Sequence, residues 1–220
     1  MNVRRRILPL ALLSGAATLA LAVSGVGASA ANAAVPGAAH AAVASHSVSP
    51  GGGNADSDSY AYKHLCTPGQ VRVKVVYDAK LGATKRLIEV TNEGVNACGL
   101  TYYPEVAIDD SSTINTRHGH AVTVQPRVPG GLGGAPAYPL YAKHTAYAVL
   151  DLDPSHAVTA SRPYNEIGVI FNNGLPDADT LNFSAAAGPR TGNPSVKNPF
   201  LGLYESTVAA ANASANPAHR

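Results

Sequence analysis

Between residues 60 and 207 the chain cannot run straight for long. Short runs of alternating apolar residues end, one after another, in Gly, Pro, Asn or Asp. Val71, Val73, Val75 and Tyr77 are spaced by Arg72, Lys74 and Val76. A period of two puts one set of side chains on one face, which predicts a half-buried strand. The same reading predicts strands over 86–92, 103–108, 121–125, 140–152 (broken near His144), 166–171, 181–184 and 200–206. Turn residues lie between them: Leu81-Gly82-Ala83, Asn92-Glu93-Gly94 and Asn172-Asn173-Gly174. The stretch 126–139, with Gly130-Gly131-Leu132-Gly133-Gly134, excludes a central strand or helix. No segment keeps a helical period. About seven or eight short strands with turn chemistry between them predict an all-β fold, an antiparallel Ig-like sandwich around one core. A barrel is the alternative, since strand count and alternation do not separate the two.

The rest of the chain is different. Residues 1–33 read as a signal peptide. Met1 to Arg6 is basic, Ile7 to Val26 is apolar, and Ala28-Ser29-Ala30 or Ala31-Asn32-Ala33 supplies a small-x-small cleavage site. A retained membrane anchor is the alternative. Ser14, Gly15, Ser24 and Gly25 dilute the apolar run, and the cleavage sites favour removal. Arg4-Arg5-Arg6-Ile7-Leu8 has some likeness to a twin-arginine signal, but ordinary secretory export is the expectation. Residues 34–59, rich in Ala, Ser and Gly, have too few large apolar side chains to pack and read as a flexible linker. Residues 208–220 read as a disordered tail. The expected location is outside the cell, with the cell wall as a possible place of retention.

Export changes the charge argument. The chain has 16 basic and 14 acidic residues, and Arg4, Arg5 and Arg6 are lost with the leader, leaving 13 against 14. A mature protein near neutrality is not drawn to nucleic acid or to anionic membrane, and no second apolar segment would span one. Export also sets the fate of the two cysteines. Cys66 and Cys98 in an oxidising compartment are expected to pair, with two buried free thiols as the alternative.

One stretch has a wider likeness. Cys66 precedes the first strand, and residues 91–106 read TNEGVNACGLTYYPEV. This resembles the domain of unknown function 4232 family of exported actinobacterial proteins, with its Asn-x-Gly turn, Cys-x-Leu and Gly-Tyr-Pro-x-Val element. Asn92, Gly94, Cys98, Leu100, Tyr103, Pro104 and Val106 match. Tyr102 stands where the pattern usually has Gly, and the second cysteine pair that members often carry is absent. The likeness covers the first third of the domain. It implies a secreted β-sandwich and supplies no activity.

The candidates for chemistry are few. His118 and His120 flank Gly119 and, on a strand, would point the same way toward one metal ion, with Asp109 and Asp110 as oxygen donors. Two solvated loop histidines are the plainer reading, so no cofactor or metal is expected. Asp151/Asp153 and Asp177/Asp179 are paired carboxylates, read as strand alternation and turn chemistry. His144 and His156 carry no diagnostic spacing, and neither a nucleophile elbow nor a phosphate loop is present. Asn182-Phe183-Ser184 fits a short glycosylation sequon that is common by chance. Ten Tyr against three Phe and no Trp leave tyrosine as the main aromatic. Tyr102, Tyr103, Tyr138, Tyr141, Tyr147 and Tyr164 are spread through the domain; where exposed they would form a carbohydrate- or protein-binding face, and where buried they would fill the core. The expected function is a non-enzymatic binding or envelope module, its partner a cell-surface carbohydrate or protein. A hydrolase using His118, His120, Asp151 and Asp153 is one alternative, and a purely structural envelope component the other.

Overall fold

The computed structural model describes residues 55–114, 121–134, 136–156, 164–186 and 193–216. The leader and most of the linker lie outside them. In chain order the elements are α1 (Asp58–Ala61), β1 (Val71–Val76), β2 (Lys85–Asn92), β3 (Cys98–Leu100), β4 (Glu105–Asp109) and β5 (Thr123–Val124). There follow β6 (Tyr138–Leu140), β7 (Thr145–Asp151), β8 (Glu166–Ile170), β9 (Leu181–Ser184), β10 (Phe200–Leu201) and α2 (Val208–Ser214).

Every paired strand is antiparallel. One sheet has the order β1-β2-β7-β10, the other β5-β4-β8-β9, and β3 and β6 form a ribbon. The alternation decides which face each strand buries. Ile88, Val90, Ala146, Ala148 and Leu150 of the first sheet meet Val106, Ile108, Ile167 and Val169 of the second in one cluster. This is the expected sandwich. The barrel does not form among the described residues, because the two sheets share no hydrogen-bonded strands.

Cys66 and Cys98 form a disulfide within that core cluster, joining the segment before β1 to β3. The peptide groups around it are bonded as well. Gly99 accepts from the Cys66 N–H at 3.0 Å and donates to the His64 carbonyl at 2.8 Å. Among the described residues Arg86 is the one deeply buried cation, and it faces carbonyls rather than a carboxylate. Its Nε and Nη2 donate to the Ala185 oxygen, and Nη1 donates to those of Ala83 and Lys85. Burial lowers its pKa, while the nearby Tyr77 acts the other way.

Both ends of the domain differ from the sequence expectation. The linker reading to residue 59 fails at its last residues. The Ala55 carbonyl accepts from Ala97 at 2.8 Å, the Asp56 carboxylate accepts from the Ala142 N–H at 2.8 Å, and Ser57 caps α1. The tail reading fails from Val208 onward. Ala211 and Ala215 are buried on the outer face of the first sheet against Leu87 and Val149. Small side chains hid this packing, because burying them requires no large apolar residue. The covering helix also explains why β2 and β7 bury side chains on both faces.

The Thr207 hydroxyl accepts from the Ala210 N–H at 3.2 Å and starts α2. Thr207→Ala should lower stability by about 1 kcal/mol, the usual loss for an N-cap, measured by urea unfolding.

Candidate functional site

The chain between β3 and β4 makes the bend on which the candidate site is built. Thr101 Oγ1 donates to the Tyr103 carbonyl at 2.8 Å, and the Tyr102 carbonyl accepts from the Tyr204 N–H at 2.8 Å. Pro104 has no N–H to leave unpaired, which suits its buried place at the entry to β4. The bend is therefore fixed on both sides, and Tyr102 and Tyr103 stand half-buried at its surface.

The facing wall comes from the glycine-rich loop. The Arg127 N–H donates to Pro199, and the Arg127 carbonyl accepts from Leu201, each at 2.8 Å, so the loop is pinned to β10. Gly131 holds a positive φ of 73°, which glycine adopts without strain. A Cβ at Gly133 would stand 3.0 Å from the Tyr102 hydroxyl, so the missing side chain lets that hydroxyl approach the loop. The third wall is Asn173. Its neighbour Asn172 is buried, donates to the Gly99 carbonyl at 3.0 Å and accepts from the Gly174 N–H at 3.2 Å, which fixes the turn.

These walls enclose two adjoining hollows. One of about 390 Å3 lies among Tyr102, Tyr103, Pro129 to Gly133 and Asn173. The other, about 210 Å3, lies between Tyr103, Glu105, Gln125 and Val128, again with Asn173. Tyr103 and Asn173 line both, so the two form one groove with an aromatic ring and an amide at its middle. Among the described residues, Glu105 is the only carboxylate lining it, and no Lys, Arg or His does. The groove is thus aromatic, rich in backbone and amide groups, and almost uncharged.

The other tyrosines do not join this face. Tyr204 is buried, donates to the Phe171 carbonyl at 2.8 Å and has its pKa raised by burial. Tyr138 packs against it at 6.1 Å between ring centroids, and burial, then Glu205 and Tyr147, push its phenol up to about 12. Tyr164 is in the core. Tyr141 donates to Asp58, and burial together with that bond raises its pKa. Exposed Tyr62 has its pKa raised by burial, then by Asp58 and Tyr102. The expected tyrosine face therefore narrows to Tyr102 and Tyr103, with Tyr62 near enough to feel Tyr102.

His118 and His120 lie outside the described residues. Asp109 and Asp110, their suggested companions, serve local structure: Asp109 accepts from the Thr123 hydroxyl at 2.5 Å and Asp110 from the Ser112 hydroxyl at 2.6 Å. Asp151 and Asp153 are buried. Asp151 accepts from the Asp153 N–H at 3.1 Å, and Asp153 from the Ser155 hydroxyl at 2.7 Å. Asp177 and Asp179 are exposed before β9. His144 Nδ1 lies 2.9 Å from the Ala142 carbonyl, and His156 is exposed. Among the described residues no three His, Cys, Asp or Glu converge to hold a metal ion. No helix among them is long and apolar enough to cross a membrane.

Tyr103, Pro104 and Val106, which all line the groove, also stand in the stretch that carries the family likeness. A family model described as a domain of unknown function, DUF4232, matches residues 66–199. The chain belongs to this family. The match runs well past the first third of the domain, through the glycine-rich loop and Asn173, so all three walls of the groove lie within the matched residues. No curated protein and no solved structure matches the chain.

Proposed function

We propose that the protein is an exported, non-enzymatic carbohydrate-binding module, and that its ligand lies along the Tyr102–Tyr103 groove. The observation that carries this reading is the groove's chemistry. A neutral polyhydroxylated ligand presents apolar C–H faces to aromatic rings and hydroxyls to amides and backbone groups. Tyr103 and Asn173, at the junction of the two hollows, offer that pair. A phosphorylated or polyanionic ligand would call for Lys or Arg, and none lines the groove among the described residues. Glycoside hydrolysis ordinarily needs two carboxylates about 5 to 9.5 Å apart, and among the described residues the lining supplies only Glu105. That supports binding over turnover. The export half of the proposal rests on the leader in residues 1–33 and agrees with the Cys66–Cys98 bond.

Isothermal titration with neutral oligosaccharides, cellotetraose and chitotetraose, and sedimentation with purified cell walls test the reading. At least one should bind, and Tyr102→Ala should weaken that binding by about tenfold, or 1.4 kcal/mol, without moving the melting temperature. Binding that is unchanged in Tyr102→Ala and in a Tyr103→Ala, Asn173→Ala double variant would remove the groove from the function. Export is tested separately by the N-terminus of protein recovered from medium, expected near Ala31 or Ala34.

A further inference from the structure

The turn that forms the third wall of the groove carries a reactive pair. Asn173-Gly174 is the one place in the chain where glycine follows asparagine; every other asparagine precedes a residue with a side chain. The Leu175 N–H donates to the Asn172 carbonyl at 3.3 Å, so Asn173 and Gly174 are the two central residues of a turn. Both are exposed, while Asn172 is fully buried. The Asn172 amide is held by Gly99 and Gly174, whereas that of Asn173 has no hydrogen-bond partner among the described residues.

An asparagine side chain can close on the nitrogen of the next residue. Loss of the Gly174 amide proton to solvent base lets that nitrogen attack Cγ of Asn173. The N–Cγ bond forms, the Cγ–Nδ2 bond breaks, and ammonia leaves from a five-membered imide. Water then opens the imide at either carbonyl. Opening at Cγ gives aspartate; opening at the main-chain carbonyl gives iso-aspartate, whose main chain is longer by a methylene. The sum is amide plus water to carboxylate plus ammonia, with nothing oxidised or reduced. A Cβ on the attacking residue would crowd the approach, and Gly174 has none. The restraint on the reaction is the Gly174 N–H bond to Asn172 Oδ1, which at 3.2 Å is at the long end for such a bond. It lies in an exposed turn, where local opening is least costly.

We propose that Asn173 is a self-modifying site, whose spontaneous deamidation puts a carboxylate at the middle of the groove and limits how long the groove keeps its neutral chemistry. Asn173 lines both hollows, and Glu105 lines one of them with it. Deamidation therefore replaces an amide that donates and accepts by a second acid that only accepts. A hydroxyl ligand loses the donors it would use, and the iso-aspartate product also lengthens the turn that Asn172 fixes. The effect on binding rests on the carbohydrate reading of the groove; the reaction at Asn173 does not.

The test incubates the purified, folded protein in warm, mildly alkaline buffer and follows each asparagine by mass spectrometry of proteolytic peptides. Asn173 should convert to aspartate and iso-aspartate at least tenfold faster than any other asparagine of the folded domain. Gly174→Ala should slow that conversion by at least tenfold. Gly174 does not hold a positive φ, and its added Cβ would meet only side-chain atoms, the nearest Asn172 Oδ1 at 3.2 Å, so the variant should melt with the wild type. An Asn173 that stays intact in the folded protein while it converts in urea would show that the turn protects it, and overturns the proposal. Equal conversion in Gly174→Ala overturns it too. The consequence is read on Asn173→Asp, which should bind the oligosaccharide or cell wall that fresh wild type binds about tenfold more weakly at an unchanged melting temperature. Undiminished binding by Asn173→Asp and by fully converted wild type would overturn the effect on the groove. No binding by fresh wild type would sink the carbohydrate reading and this effect with it, while the mass measurement still decides the site.

Discussion

Replacing Cys66 and Cys98 together by Ala is expected to cost about 3.7 kcal/mol, the chain-entropy value for a loop of about 33 residues. The effect acts mainly on the unfolded chain. In the folded protein the same junction is held by the Cys66-to-Gly99 and Gly99-to-His64 hydrogen bonds and by the Leu65–Gly99 bridge. The native arrangement should therefore survive and its stability should fall. With a urea dependence of about 2 kcal/mol per molar, the unfolding midpoint drops by about 2 M, and the slope rises because the unfolded chain, freed of the cross-link, exposes more surface. Wild-type protein unfolded under reducing conditions should reach the same midpoint. A loss below about 1 kcal/mol would mean that the unfolded chain is already constrained in this region.

The strands that alternate large apolar residues were legible in the sequence, and β1, β2, β8 and β9 lie where the alternation puts them. The long run over 140–152 divides at His144, as its break suggests, because Lys143 and His144 turn the chain between β6 and β7. The ribbon of β3 and β6 was not legible. Each strand has three residues, too few for a period, and β6 contains Pro139 at the end of a stretch that reads as loop. Among the described residues that ribbon has no further partner strand, so a missing N–H there leaves no sheet interior unpaired. The groove was half legible. Tyr102 and Tyr103 stood out as aromatic candidates, but their partners lie far along the chain, in the loop around Gly131 and at Asn173. Only the β4–β8 pairing and the pinning of Arg127 to β10 bring them together. Runs such as Gly130-Gly131 and Asn172-Asn173-Gly174 mark turns, and local turn chemistry carries no information about which turns will meet.

Helix α2 was the largest omission, and the residue that permits it is Gly202. This glycine follows β10 and donates to the Val149 carbonyl at 2.9 Å. A Cβ there would stand 2.5 Å from Ser214 Oγ, 2.8 Å from the Ala215 nitrogen and 2.9 Å from the Ala211 oxygen. Two of those atoms are backbone. The third cannot swing away freely, because Ser214 Oγ accepts from the Leu203 N–H at 2.9 Å and donates to the Ala211 carbonyl at 2.8 Å. Gly202→Ala must therefore move the helix off the sheet, loosening Ala211 and Ala215 from Leu87 and Val149. Overpacking of this kind costs about 2–3 kcal/mol, and for a chain of this size the melting temperature should fall by about 4–12 °C. Hydrogen exchange should show the loss concentrated in α2 and the outer face of β7, with β4 and β8 unaffected. Adding Ser214→Gly should recover only a small part, since the clashes with the Ala215 nitrogen and Ala211 oxygen persist. A Gly202→Ala protein that melts with the wild type would mean that α2 is not docked through this contact, and the residues from Val208 onward would return to the tail that their composition suggests.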